Sequence, residues 1–223
     1  MKGSIAIFAK TVGISPVKTR LAKDIGREGA ETFYTLSLDC ILELAQNLTL
    51  NNNDLDYIIA YGEPDSERYE NIPHPCMWTG EGSLGERLHH VHKILLEQYD
   101  YAIIIGSDSP QMQDHHILSA IHNLELDSDL CTIGPAIDGG YYLFASSKYI
   151  EKEIWTSIPY SQSDTLVQFE EKLNASGYRT SRINVLMDID VINDLYTLRD
   201  TLNGFKNLSV SQKRLCMYLN EVL

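Results

Sequence analysis

Ile5-Ala6-Ile7-Phe8-Ala9 is an unbroken apolar run that ends in a loop carrying Gly13 and Pro16. Such a run predicts a strand buried on both faces rather than one with a wet side. The period then changes: Ala30, Phe33, Tyr34, Leu38, Ile41, Leu42 and Ala45 recur at steps of three and four. That spacing predicts an amphipathic helix running to the turn Asn51-Asn52-Asn53. Further strands are predicted over 56–61, 76–78 and 101–105, with a helix over 84–98 between the last two. The run 101–105 stops at Gly106-Ser107-Asp108-Ser109-Pro110. Asp114 is placed to cap a helix through His122, and strands over 130–134 and 141–145 flank the segment 135–140. Ser163 is placed to cap a helix reaching Ala175, followed by a strand near 182–187 and one or two helices at about 192–223. Strands alternating with helices predict an α/β three-layer sandwich whose sheet is mainly parallel, and mixed where the strand at Tyr141 returns early. No repeat or linker interrupts the pattern, so 1–223 is expected to be a single domain.

Composition narrows the function classes. A chain of 223 residues, 43% apolar and 22% charged, suffices for one substantial core. A net charge of −13 opposes general nucleic-acid binding. Against that background the cluster Lys10, Lys18, Arg20 and Lys23 reverses the sign locally, which suits a small anionic ligand; a solvated loop is the ordinary alternative. Cys40, Cys76, Cys131 and Cys216 are far apart and form no C-x-x-C pair, so reduced, structural thiols are expected. The apolar run at the first residues is too short for a secretory signal, and no stretch approaches the ~20 apolar residues of a membrane span. A cytoplasmic location is expected.

In open α/β sheets ligands bind beyond the carboxyl ends of the strands, and several polar segments here follow predicted strands. Gly13-Ile14-Ser15-Pro16-Val17-Lys18-Thr19-Arg20-Leu21 offers a flexible turn, a point charge and a planar fork suited to phosphate oxygens. A helix starting near Thr19 would add its amides. Gly80-Glu81-Gly82-Ser83-Leu84-Gly85 permits close approach of a base or ribose to the backbone, or is a plain turn. Asp108, at a strand end, can hold Mg²⁺ or Mn²⁺, or cap a turn. Asp188 and Asp190 share one face if extended, and which of them faces a site stays open. Asp138, before Gly139 and Gly140, can orient an acceptor hydroxyl or act as a base, and a turn explains it as cheaply. His89, His90 and His92 lack the i, i+4 pair of helical zinc sites and read as helix-surface residues.

Taken in order, Ile7-Phe8-Ala9-Lys10, Val17-Lys18-Thr19-Arg20-Leu21, Leu84-Gly85-Glu86-Arg87-Leu88, Gly106-Ser107-Asp108-Ser109-Pro110, the run from Gly134 to Tyr142 and Asp188-Ile189-Asp190 resemble one family. It is the bacterial glycosyltransferase-A-like family labelled selenodomain-associated or arsenosugar-biosynthesis transferase, within the nucleotide-diphospho-sugar transferases. The resemblance spans roughly residues 4–195. It implies a glycosyltransferase-A-like, Rossmann-like fold and a donor site containing Lys10, Lys18, Arg20, Gly82 and Gly85, with Lys18 and Arg20 on the phosphates. It also implies Mg²⁺ or Mn²⁺ on Asp108 and Asp190, and an acceptor side formed by Asp138, Gly139 and Gly140. Two departures stand out. The family's Pro-Gly of the first loop is displaced to Gly13 and Pro16, which bears on loop shape. Tyr160 replaces a common Trp, which bears on the acceptor.

The implied activity is metal-dependent glycosyl transfer from a nucleotide-diphospho-sugar to an acceptor the sequence does not identify. The segment 17–22 also resembles the Lys-Ser-Arg-Leu-Ala stretch of phospholactate guanylyltransferases, which implies nucleotidyl transfer as the alternative. A non-catalytic nucleotide-binding protein is the third reading.

Overall fold

The computed structural model describes residues 1–64 and 73–223. Its elements in chain order are β1 (Gly3–Ala9), α1 (Ala22–Asn51), β2 (Leu55–Tyr61), β3 (Cys76–Trp78), α2 (Leu84–Leu96), β4 (Tyr101–Gly106) and α3 (Asp114–Leu126). There follow β5 (Leu130–Pro135), β6 (Tyr141–Ser146), α4 (Lys152–Thr156), α5 (Thr165–Ala175), β7 (Arg179–Arg182), α6 (Ile192–Asn203) and α7 (Val210–Val222). The strands form one sheet in the order β3-β2-β1-β4-β6-β5-β7. β1 pairs in parallel with both β2 and β4, whereas β6 is antiparallel to β4 and β5. The strand at Tyr141 is therefore the reversed one, as the short connection before it predicted.

The unbroken apolar strands follow from burial of both sheet faces. Ile5 and Ile7 of β1 and Ile103 and Ile105 of β4 pack toward Ile41 of α1 and Ile117 of α3. Ala6, Ala102 and Ile104 pack on the other face with Leu88 of α2, Trp155 of α4 and Phe169 of α5. A further cluster joins Leu21 and Phe33 to Leu195, Leu198, Leu215 and Leu219, which seats α6 and α7 against the start of α1.

Several boundaries differ from the pattern reading. α1 begins at Ala22 and kinks at Gly26 (φ 75°). α3 is preceded by Gln113 as its cap, and Asp114 lies inside its first turn. α5 is preceded by Asp164 rather than capped by Ser163, whose carbonyl is packed against Gly139. β7 ends at Arg182, earlier than predicted; beyond it the chain still follows β5 through Ile183 N to Ile133 O (2.9 Å) and Leu186 N to Pro135 O (3.0 Å). The short α4 carries too few residues to show a period. His92 is fully buried between Phe144 and Trp155 and is not a surface histidine. The four cysteines are free thiols. Among the described residues no helix is long and apolar enough to cross a membrane.

Candidate active site

The chain leaves β1 toward β2 on one side and returns to β4 on the other, so the connections diverge beyond the carboxyl ends of β1 and β4. A crevice opens at such a switch point. Here it is a cleft of about 870 Å³. Lys10, Lys18 and Arg20 line it from the loop after β1, and Gly62, Thr79, Gly82 and Arg87 from beyond β2 and β3. Asp108 enters from β4, and Asp138, Gly140, Tyr141, Tyr160, Gln162, Asp188 and Asp190 complete the opposite side.

Lys18 lies at its centre. Its Nζ is 2.6 Å from Asp108 Oδ1 and 3.1 Å from Asp190 Oδ1, and its side chain is only 3% exposed, against 47% for each carboxylate. Burial works against the ammonium charge, but Asp108 and Asp190 outweigh it and hold the Lys18 pKa above the ordinary lysine value. Its backbone is left-handed (φ 44°), a conformation that non-glycine residues hold only where surrounding contacts enforce it. Arg20 is far more open, with Nη1 3.7 Å from Asp190 Oδ2. Lys10 Nζ lies 3.5 Å from the Pro16 carbonyl. Beyond Thr19 the chain turns into α1, with Ala22 N bonded to Lys18 O, Lys23 N to Arg20 O, and Asp24 N and Ile25 N to Leu21 O.

The acidic residues are held by neighbours that no local motif marks. Ser37 Oγ donates to Ser107 O (2.6 Å) and Tyr34 Oη accepts from Lys10 N (2.7 Å), so one turn of α1 fixes the ends of both β4 and β1. The loops at 108–111 and 187–190 are joined by three bonds: Ile189 N to Asp108 O (3.1 Å), Ser109 Oγ to Asp188 Oδ1 (2.7 Å) and Gln111 Nε2 to Met187 O (2.6 Å). Asp194 Oδ2 accepts from Asp190 N and Val191 N, capping α6 in place of Asp188 or Asp190. Burial pushes the Asp188 carboxyl up to about 6, with Asp108 and Asp138 adding to the rise and the Ser109 hydrogen bond opposing it.

Not every sequence candidate reaches the cleft. Gly82 (φ 96°) and Gly140 line it. Gly85 faces α4, where a Cβ would lie 2.3 Å from the Trp155 carbonyl oxygen, so it permits helix packing rather than nucleotide approach. Gly139 (φ 93°) faces Ser163 in the same manner, with a Cβ 1.9 Å from that carbonyl oxygen. Asp138 lines the cleft while its Oδ1 accepts from Gly140 N (2.9 Å), so the turn role and the position at the site coexist. Tyr160 Oη donates to Trp155 O (3.0 Å), which anchors its ring at the cleft wall.

The residues fit a shared cation rather than a protein-built cage. Among the described residues no three His, Cys, Asp or Glu side chains converge on one point. Asp108 and Asp190 nevertheless flank one small cation, the Lys18 ammonium, with hard oxygen donors. Mg²⁺ is commonly held by one or two carboxylates with the remaining ligands from phosphate and water.

Residues 47–162, more than half of the chain, match a family described as an uncharacterized protein conserved in bacteria (DUF2064). The chain belongs to that family. A search of curated proteins found no match. Among solved structures, the chain is similar to a candidate nucleotide-diphospho-sugar transferase from Desulfovibrio desulfuricans, at 22% identity and TM-score 0.83, covering 100% of this chain and 99% of that one. It is also similar to a 4-diphosphocytidyl-2C-methyl-D-erythritol synthase from Anaerococcus prevotii (14% identity, TM-score 0.53, 88% and 95% coverage). A third similar structure is a cytidylyltransferase from Leptospira borgpetersenii (15% identity, TM-score 0.53, 99% and 94% coverage). The glycosyltransferase-A-like, mixed-sheet architecture expected from the motifs is thus the architecture shared with these structures.

Proposed function

We propose that the chain is a transferase that binds a nucleotide-diphospho-sugar and passes its sugar to a hydroxyl-bearing acceptor. The observation that carries this reading is the convergence of Lys18, Arg20, Asp108 and Asp190 at the switch-point cleft, where groups for phosphate oxygens and for a cation stand side by side. Asp108 and Asp190 are the residues that would hold Mg²⁺ or Mn²⁺, and such an ion supplies neutralisation of a diphosphate leaving group. Lys18 and Arg20 supply the same service from the protein, opposing the charge that grows as the bond from sugar carbon to phosphate oxygen breaks. On the other wall, Asp138, Tyr160 and Gln162 offer hydroxyl-orienting groups and, among the described lining residues there, no lysine or arginine. That favours a neutral hydroxyl acceptor over a phosphorylated one.

Nucleotidyl transfer remains a second reading because Lys10, Lys18 and Arg20 on one loop suit the extra charge of a triphosphate. The likeness in fold to cytidylyltransferases supports the same alternative. The test is a thermal-shift panel of nucleoside triphosphates, diphosphates and diphospho-sugars with and without Mn²⁺, followed by product analysis. Metal-dependent stabilisation by a diphospho-sugar and release of nucleoside diphosphate support glycosyl transfer; pyrophosphate release from a triphosphate transfers the assignment to nucleotidyl transfer. Wild-type turnover by Asp108→Asn would remove Asp108 from the machinery.

A further inference from the structure

We propose that Lys18 is the resident cation of the nucleotide-free site, so that a divalent ion enters only together with a diphosphate that draws the ammonium away. This deepens the reading above and rests on it: the ligand recognised is cation and diphosphate as a unit.

The ammonium lies within 3.1 Å of both carboxylates that would hold the metal, and it bonds Asp108 and Asp190 at once. A divalent ion using the same oxygens would stand beside that ammonium, and like charges at such distance repel strongly in a partly desolvated cleft. Metal alone therefore has to expel a buried lysine without offering it a new partner. A diphosphate changes that balance, because its oxygens give the ammonium another anion and the ion further ligands. The left-handed backbone of Lys18 is consistent with a residue held by its ion pairs, ready to relax when they are exchanged. Arg20, 72% exposed and at the edge of Asp190, is placed to remain a phosphate contact in either arrangement.

The test needs no knowledge of base or sugar. The full chain is dialysed to equilibrium against Mn²⁺ alone and against Mn²⁺ with inorganic pyrophosphate, and protein-bound metal is measured by atomic absorption. Wild type is expected to retain Mn²⁺ weakly alone and about tenfold more tightly with pyrophosphate. Lys18→Met is expected to bind Mn²⁺ alone about tenfold more tightly than wild type and to show a smaller pyrophosphate enhancement, the part that remains coming from the ligands pyrophosphate gives the ion. Lys18→Arg keeps the charge and is expected to keep metal out, which separates charge from a general loosening of the loop. Adding Asp108→Asn to Lys18→Met should abolish the gain. Circular dichroism and thermal unfolding establish that each variant folds. If wild type holds Mn²⁺ alone as tightly as Lys18→Met, and Asp108→Asn removes both, the competition is overturned while the cation site stands. If no protein retains Mn²⁺ in either arm, the metal-dependent reading itself fails.

Discussion

Arg87 Nη1 donates to the Gly62 carbonyl at 2.6 Å, and the same guanidinium reaches Thr79 Oγ1 (3.3 Å) and, through Nε, the Gly82 carbonyl (3.1 Å). One side chain from α2 thereby joins the segments following β2 and β3 to the glycine turn that lines the cleft. A planar fork spreads these bonds over two nitrogens, Nη1 and Nε, a geometry that a single ammonium nitrogen does not reproduce. Arg87→Lys and Arg87→Ala are both expected to weaken nucleotide binding by about tenfold or more, since even one hydrogen bond from a charged group contributes roughly 1.5–3 kcal/mol. Isothermal titration with the nucleotide identified by thermal shift checks this; unchanged affinity in both variants would make Arg87 a purely structural strut.

Gly139 combines φ 93° with a Cβ position 1.9 Å from a backbone oxygen, so Gly139→Ala should cost about 2–4 kcal/mol and distort the cleft wall at Asp138 and Gly140. Gly177 has a similar φ of 87° but open space around it, and Gly177→Ala should cost only ~1 kcal/mol. Urea unfolding of the pair separates collision from backbone strain. Equal losses would refute the packing role.

His92 has no hydrogen-bond partner for either ring nitrogen among the described residues, and burial drives its pKa down to about 3. An unfolded histidine takes up a proton near pH 6.5, whereas the folded one resists it. Stability from this residue is thus fully present above about pH 6.5 and declines as the pH falls from there toward 3. His92→Phe should unfold with a weaker dependence on pH across that window, and with neutral-pH stability within about 1 kcal/mol of wild type or above it. Thermal melts between pH 7 and pH 4 measure both; parallel curves for the two proteins would contradict the expectation.

Glu43 of α1 accepts from Ser209 Oγ (2.8 Å), Val210 N (2.9 Å) and Ser211 N (2.6 Å), anchoring the start of α7. Its partial burial opposes the charge, yet the bonds from Ser211, Ser209 and Val210 prevail and lower its pKa to about 2. The charge stabilises the fold above the unfolded value near pH 4.3, and that contribution disappears as the pH falls from there toward 2. Glu43→Gln is expected to lose about 1–2 kcal/mol at pH 7, with proteolysis beginning in the C-terminal helices. Wild-type resistance of that region to protease would argue against the anchor.

The strands with continuous apolar runs and the helix face marked by Ala30, Phe33, Ile41 and Ala45 were legible in the sequence because burial imposes a period on neighbouring residues. The acidic and basic positions at strand ends were legible as well, since the ends of parallel strands share one rim of the sheet. His92 shows how far that reading reaches. Compared with His89 and His90 it has no metal spacing, but it lies four residues after Leu88 and three before Leu95, on the buried stripe of α2. That signal was present, and came from the apolar neighbours rather than from the other histidines.

Gly85 and Gly139 illustrate the opposite case, because a missing side chain does not say which surface approaches it; only the positions of Trp155 and Ser163 decide that. The contacts of Ser37 with Ser107 and of Ser109 with Asp188 likewise join segments 70 and 79 residues apart. By itself the sequence determined the alternation of strands and helices, the rim where polar residues would gather and the chemical types available there. Only the tertiary structure decided that Lys18 meets Asp108 and Asp190, the latter 172 residues away, because a charge pair has no period along the chain and exists only where the folded backbone brings its ends together.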